Sequence, residues 1–410
     1  MKILVLAGGF DQIALIKELR NRGNIVYLAD YFENPPAKQY ADKHFQISTL
    51  DENAVYELAK KEQVDLITTA CTDQALMTIA SVSEKLHLPC YISSKTARDV
   101  TNKAYMKKKF AEFDVPTAKW DLLESENDFE KLKHHQLAFP LIVKPCDCNS
   151  SKGVVKVENY GELETAVWNA FQLSRSKKVV VEDYKIGEEV SIDVWKDKEG
   201  AKVLSVSGTS KIKENTEGFT IYQSKYPIEM SNRLVSKIKI TAEKICEAFE
   251  LDNCPLLIQA IIQKDEINVI EFSARMGGGS KYKLNEYMAN VDIMKIYVNR
   301  VLGDTSQTVK PVWSSKLIEM NYVYAYNGVF SKLIGFDRFL RTGDIKELFQ
   351  YKKEGSTIEK RTTSSDRIVG FLIEADSVQE LANLRSRIVN DVDILSEEGK
   401  SMMYKKCFYE

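Results

Sequence analysis

Histidine is scarce in this sequence. His44, His87, His134 and His135 are the only four in 410 residues, and none forms H-x-x-x-H. That leaves little for histidine-based metal binding or nucleophile activation. The seven cysteines (Cys71, Cys90, Cys146, Cys148, Cys246, Cys254, Cys407) are an odd number. Only Cys146 and Cys148 are close, with no second Cys or His pair at zinc spacing, so a structural zinc site is not expected. Their apolar contexts suit small core residues in a reducing compartment. No apolar run approaches the ~18 residues needed to span a bilayer. Ile3 to Ala7 is too short for a signal core, so the expected location is the cytoplasm. An excess of charge is missing too: 57 basic against 59 acidic residues give a net charge of −2. That balance argues against a nucleic-acid or anionic-membrane partner. Repeats and low-complexity linkers are absent. What remains is an ordinary globular composition, 44% hydrophobic and 28% charged, with a length that suits about two to four domains.

Ile3 to Ala7 is a continuous apolar run ending in Gly8-Gly9. Ile13, Ile16 and Leu19 recur at helical spacing, Gly23 ends them, and Ile25 to Ala29 follows before Asp30. This β-turn-α-β pattern opens a parallel sheet covered by helices. It continues with a helix over 52–62, a strand over 65–69, a helix over 73–86 and a short strand over 89–92. Residues 1–98 are therefore expected to form a doubly wound parallel-sheet domain. The turn lacks the third glycine of G-x-G-x-x-G, so a dinucleotide site is disfavoured. The better reading is a turn that brings a helix N-terminus to a ligand or a neighbouring domain. A helix over 101–113 follows, then strands Leu141–Pro145 and Val154–Val157 around the turn 149–153, and a helix over 161–173. Strands are expected at 179–184, 190–195, 203–208, 256–262 and 267–272, with a helix over 231–250. Gly277–Ser280 leads into a helical region ending at Gly303. Beyond Asp304, short strands and a helix over 377–390 suggest a small α+β third domain.

Three pieces carry chemistry. Lys144 closes the strand Leu-Ile-Val-Lys-Pro opposite a Ser/Gly turn, an arrangement that holds phosphate oxygens by charge and backbone N–H groups. Taken alone, a solvated strand-end lysine is the simpler reading. Glu182 and Glu189 flank Gly187, where a strand end could meet a purine edge and a carboxylate the ribose hydroxyls; a solvated acidic turn is the bland alternative. The third piece is sharper. Period-two alternation puts Glu271, Ser273 and Arg275 on one strand face, with Gln259 on the facing strand. A carboxylate, a hydroxyl and a guanidinium so placed suit Mg²⁺ bridging phosphates beside an anion clamp. The glycines Gly277–Gly279 are expected to leave bare N–H groups beside Arg275, a second anion cradle.

In this order the pieces resemble the ATP-grasp superfamily. The ordered set is Lys103, Val143-Lys144-Pro145, Ser150-Ser151-Lys152-Gly153, Glu182 to Glu189, Gln259 and Glu271-x-Ser-x-Arg275. The resemblance covers 1 to about 305, as a pre-ATP-grasp domain over 1–98 and a two-lobed core over 99–305. Residues 306–410 are more loosely similar to the C-terminal segment of bacterial L-amino acid ligases. The resemblance implies that Lys103, Lys144 and the turn Ser150, Ser151, Gly153 contact ATP phosphates. Glu182 and the backbone around Tyr184 would meet adenine, and Glu189 the ribose. Gln259, Glu271 and Ser273 would hold Mg²⁺, with Mn²⁺ as a substitute, and Arg275 the transferred phosphoryl group. Two features depart from the pattern. Ser273 stands where the family usually has Asn, and the phosphate turn has one glycine where relatives often have more.

The resemblance implies an ATP-dependent carboxylate–amine ligase acting through an acyl phosphate. Its partners would be a small-molecule carboxylate and an amine, first of all an amino acid or small peptide, with a homodimer as the default assembly. The alternatives are a ligase of nucleotide or cofactor biosynthesis, similar to glycinamide ribonucleotide synthetase, and a non-catalytic ATP-binding protein on the same scaffold. No protein nucleophile is required, in keeping with the missing Ser–His and Cys–His sets.

Overall fold

The computed structural model describes residues 1–134, 137–148, 152–212, 220–359 and 363–409. The first unit runs β1 (Lys2–Leu6), α1 (Gln12–Asn21), β2 (Ile25–Asp30), β3 (Lys43–Gln46), α2 (Glu52–Glu62), β4 (Leu66–Thr68) and α3 (Asp73–Lys85). Its four strands are parallel in the order β3-β2-β1-β4, with Ile3 opposite both Val26 and Leu66. The apolar run of β1 is buried on both faces: Ile3 and Val5 enter one core, Leu4 and Leu6 another. That is why it reads as continuous rather than alternating. The strand expected at 89–92 does not form. Pro89 has no N–H to offer a ladder, and Tyr91 instead sends its hydroxyl to Ala274 O at 2.9 Å.

The helix expected over 101–113 forms as α5 (Lys103–Glu112), and a further helix that was not expected, α4 (Ser94–Thr101), precedes it. Asn102 breaks them. Its backbone is extended, and its side chain accepts from Ala104 N at 2.9 Å, capping α5. Lys103 thereby becomes the first residue of α5. A satellite lobe follows, with β5 (Trp120–Leu123), β6 (Leu141–Pro145), β7 (Val155–Val157), α6 (Tyr160–Leu173) and β8 (Val179–Asp183). Its antiparallel sheet, β5-β8-β6-β7, packs its own core against α6.

The chain then builds β9 (Glu188–Asp197), β10 (Gly200–Lys211), β11 (Ile221–Tyr226), α7 (Asn232–Ala248), β12 (Cys254–Gln263) and β13 (Glu266–Ser273). Two helices, α8 (Lys281–Ala289) and α9 (Ile293–Val301), carry it towards the C-terminal segment. That segment comprises β14 (Leu317–Val323), β15 (Gly328–Ile334), α10 (Phe336–Thr342), β16 (Glu347–Gln350), β17 (Thr357–Ile358), β18 (Val369–Ala375), α11 (Val378–Asp391) and β19 (Asp393–Ser396). It is α+β, as its pattern suggests, but its main sheet is not separate. One eight-stranded sheet runs β13-β12-β9-β10-β11-β14-β18-β16, joined by antiparallel pairing of Gln223 with Asn321. A boundary at 305/306 would therefore divide this sheet between β11 and β14. Among the described residues no helix is long and apolar enough to cross a membrane.

Candidate active site

The hairpin of β12 and β13 sets Gln259 directly opposite Glu271. Lys103, at the start of α5, reaches Glu271 Oε2 at 3.1 Å and donates to Cys148 O at 2.8 Å. Burial works against the Lys103 ammonium, but Glu271 outweighs it and the lysine's pKa is raised. Two cavities meet here. One, of about 130 Å³, lies between the satellite lobe and the large sheet, lined by Lys144, Glu182, Tyr184 and Ile261 among others. The second, of about 590 Å³, extends past Ser273 and Arg275 to Gly8, Asp11 and Arg367. Lys103, Glu189, Lys211, Gln259 and Glu271 line both.

In the smaller cavity Glu182 is the centre of an ion triad. Its carboxylate pairs with Lys144 Nζ on one oxygen and with Lys107 Nζ at 2.7 Å on the other. All three side chains are at most 7% exposed. Burial alone would raise the Glu182 carboxyl, but the two lysines outweigh it and hold its pKa at about 2. Burial lowers the Lys107 ammonium despite Glu182. Lys107 also donates to Thr117 Oγ1 at 2.5 Å. Glu182, expected against adenine, has both carboxylate oxygens on lysines. Tyr184 gives its N–H to Pro140 O at 3.0 Å and carries Lys156 Nζ 4.5 Å over its ring. Glu189 pairs with Lys211 across the β9–β10 hairpin.

The depressed Glu182 pKa sets a sign for acid stability. An unfolded glutamate titrates near ~4.3, so the triad's contribution is complete above that range. It is lost as pH falls from there through about 2. Acid titrations of wild type and Glu182→Gln should therefore converge between roughly pH 4.5 and pH 2. A gap that stays constant across that window would show that Glu182 is not the titrating group.

In the larger cavity Arg275 makes a fork to Asp73, at the start of α3. Nε reaches Asp73 Oδ1 at 2.7 Å, Nη2 pairs with Oδ2, and Nη1 donates to Met276 O at 2.7 Å. Ser273 Oγ donates to the same Asp73. Burial would raise the Asp73 carboxyl, but Arg275 outweighs it and the pKa is lowered. Of the three residues expected to hold a metal, Ser273 is thus hydrogen-bonded to Asp73, while Gln259 and Glu271 face each other across the hairpin.

The N–H groups expected to be bare are partly capped. Gly279 N and Ser280 N donate to Asp11 Oδ2 and Oδ1 at 2.9 and 2.8 Å. The Gly8-Gly9 turn therefore does bring the start of α1 to a neighbouring unit, through Asp11. Gly279 itself must be glycine, since its φ is +74° and a Cβ there would collide with the Arg367 guanidinium.

The remaining expectations lie elsewhere. Ser150 and Ser151 fall outside the described residues. Gly153 lines neither cavity; its φ is +74°, and a Cβ there would stand 2.6 Å from Leu173 Cδ1 and 2.9 Å from Pro145 Cγ. Asp73, Lys107, Lys211 and Asp11 were missed by the sequence reading. Asp73 stands 202 residues from Arg275 and shares no local motif with it. Lys211, by contrast, follows from pairing β9 with β10 as a hairpin.

Comparison with known proteins fits this geometry. The family model for the D-ala D-ala ligase C-terminus matches residues 110–271. The chain is 27% identical over 248 residues to the formate-dependent phosphoribosylglycinamide formyltransferase of Histophilus somni, covering 60% of this chain and 61% of that enzyme. The L-amino acid ligase from Bacillus licheniformis superposes with a TM-score of 0.80 at 19% identity, over 97% of this chain and 98% of the other. The biotin carboxylase domain dimer of Hydrogenobacter thermophilus 2-oxoglutarate carboxylase, solved with MgADP, ADP and bicarbonate, gives 0.80 at 14% identity over 98% and 92%. Residues 110–271 thus match a ligase family of the ATP-grasp type, and the full-length superpositions give the whole chain the ATP-grasp fold.

Proposed function

We propose that the protein is an ATP-dependent ligase that joins a carboxylate to an amine through an acyl phosphate, releasing ADP and phosphate. The observation that carries this reading is the single wall on which Lys103, Gln259, Glu271 and Arg275 meet, at the junction of a small cleft and a larger cavity. The small cleft would take adenine, with Glu189 towards the ribose and Lys103 and Lys144 towards the phosphates. Gln259 and Glu271 offer two oxygens, few for a dedicated metal cage but suited to Mg²⁺ held mainly by phosphates. Mg²⁺ bound there would neutralise the phosphate charge that develops during transfer. The substrate carboxylate attacks the γ-phosphorus, ADP leaves, and the amine attacks the acyl carbon as phosphate departs. The chain's own task is positioning and charge neutralisation, by Lys103, Lys144 and Arg275.

An amino acid or small peptide is the first choice of substrate, supported by the full-length fold match to an L-amino acid ligase. A second reading, a small acid such as formate with phosphoribosylglycinamide as amine, is supported by the curated relative. One screen separates them and tests the class. ADP release should require Mg²⁺, ATP and an added acid, and rise further with the right amine. Release that ignores every acid would leave only an ATP-binding scaffold. The proposed assembly is a homodimer, and the setting the cytoplasm.

Glu271→Gln is nearly isosteric and removes the charged metal-facing oxygen. Turnover should fall by at least ~100-fold, comparable to losing one preorganised electrostatic stabiliser. Steady-state ADP release in saturating Mg²⁺ and ATP checks it. Wild-type turnover would reduce Glu271 to a strand carboxylate held by Lys103.

A further inference from the structure

Lys281 opens α8 directly after the glycine run. It is only 6% exposed, yet its Nζ has no hydrogen-bond partner among the described residues. It lines the larger cavity beside Arg275 and Ser191. The approach is shaped for it. A Cβ on Gly277 would stand 2.7 Å from Lys281 Cδ and 3.1 Å from Asp193 Oδ1, so only glycine lets this side chain pass. Asp193, 1% exposed, also has an unpartnered Oδ1, and its Oδ2 accepts from Ser205 Oγ at 3.2 Å. Asp193 is not among the residues that line the cavity, but its charge acts on the ammonium. Burial lowers the Lys281 pKa while Asp193 opposes that effect. A buried ammonium without an acceptor is strongly disfavoured unless an anion meets it. Arg275 has its fork on Asp73, Lys103 lies on Glu271 and Lys211 on Glu189. Lys281 offers this wall a cation with no such partner.

We propose that Lys281 receives the carboxylate of the acid substrate and thereby selects small acids that reach the cavity wall beside Arg275. The inference deepens the ligase reading and rests on it. An ammonium is a compact point charge with three donors. It can hold one carboxylate oxygen while the other faces the nucleotide. A terminal phosphate would satisfy the same charge, and the test separates the two occupants.

The experiment uses the full chain with Lys281→Met and Lys281→Arg. Formate, acetate, glycine, L-alanine and L-aspartate are the acids. Three readings are taken on each preparation: ADP release, calorimetric affinity for MgATP without acid, and calorimetric affinity for each acid in MgADP. Methionine keeps the length and loses the charge, so the buried site should remain folded. The expected result for Lys281→Met is a rise of about tenfold or more in acid KM and Kd, the scale of one lost charge-assisted bond. Its MgATP affinity should stay within about twofold, and Lys281→Arg should recover part of the acid affinity. Unchanged acid affinity in Lys281→Met overturns the proposal, as does a loss confined to MgATP. Should Lys281→Met fail to fold, Lys281→Gln carries the same comparison. If wild type releases no ADP with any acid, the ligase reading fails and calorimetry decides alone. An acid bound by wild type and lost by the variant keeps Lys281 as its anchor; no difference removes it.

Discussion

Glu182→Gln is expected to destabilise the protein by about 3–5 kcal/mol, the scale of removing one partner from a buried ion pair. The substitution leaves Lys107 and Lys144, both at most 7% exposed, facing an amide that cannot balance two ammonium groups. Burial already lowers the Lys107 pKa with Glu182 in place. The two lysines sit on different elements, α5 and β6, and Glu182 on β8 ties both together. Loss of the carboxylate should therefore loosen the contact between α5 and the satellite lobe. Urea unfolding of wild type and variant at neutral pH measures the difference. A loss below about 1 kcal/mol would mean that water reaches the lysines, as at an exposed pair. A second variant separates charge from packing. Glu182→Leu combined with Lys107→Met and Lys144→Met should regain most of the stability, because apolar side chains of similar volume often replace a buried ionic group without loss. That variant should also lose ATP affinity, if the lysines are kept for the nucleotide rather than for the fold.

The parts of the fold that sequence alone reveals are those whose signal is local. The apolar runs that open at Ile3, Leu141 and Val179 are bounded by turn residues, and they form the strands Lys2–Leu6, Leu141–Pro145 and Val179–Asp183. β11, Ile221–Tyr226, escapes such a reading. Its Gln223 and Ser224 are buried, and Gln223 Nε2 is satisfied across the sheet, by Asn321 Oδ1 at 2.7 Å and Glu319 Oε2 at 3.0 Å. A polar ladder of this kind looks like a loop until its partner strand is known. Because β11 is the joint between the core and the C-terminal strands, the continuity of the large sheet goes unseen with it.

The site divides the same way. Glu271, Ser273 and Arg275 share a strand, so alternation places them on one face. Their partners do not: Asp73 comes from the first unit and Lys103 from the start of α5. The cap at Asn102 that puts Lys103 there is readable only once the helix break is seen. The capped N–H groups of Gly279 and Ser280 depend on Asp11, 268 and 269 residues away. No local pattern predicts a contact of that range.

Arg275→Lys should separate a ligase from a protein that merely binds ATP. Arginine carries five N–H donors in a planar array. Three are engaged in the structure: Nε and Nη2 on Asp73, and Nη1 on Met276 O. One N–H on each terminal nitrogen remains, enough to hold two oxygens of a transferred phosphoryl group or an acyl phosphate. Asp73 is then the positioning residue that fixes the plane of the guanidinium, and burial strengthens the anchorage. A lysine keeps the charge but cannot grip Asp73 with a fork and present a second pair of donors at once. The variant should therefore bind MgATP nearly normally yet lose ~10²–10³-fold in turnover, about 2.7–4 kcal/mol of transition-state stabilisation. The competing account makes the Asp73–Arg275 pair a tie between α3 and the end of β13. On that account the melting temperature drops while turnover per folded molecule stays largely intact. Melting temperature, MgATP affinity and ADP release measured on one preparation decide between them. A folded, ATP-binding, slow variant assigns the two remaining donors to the reacting anion; a less stable, fully active one returns Arg275 to the architecture.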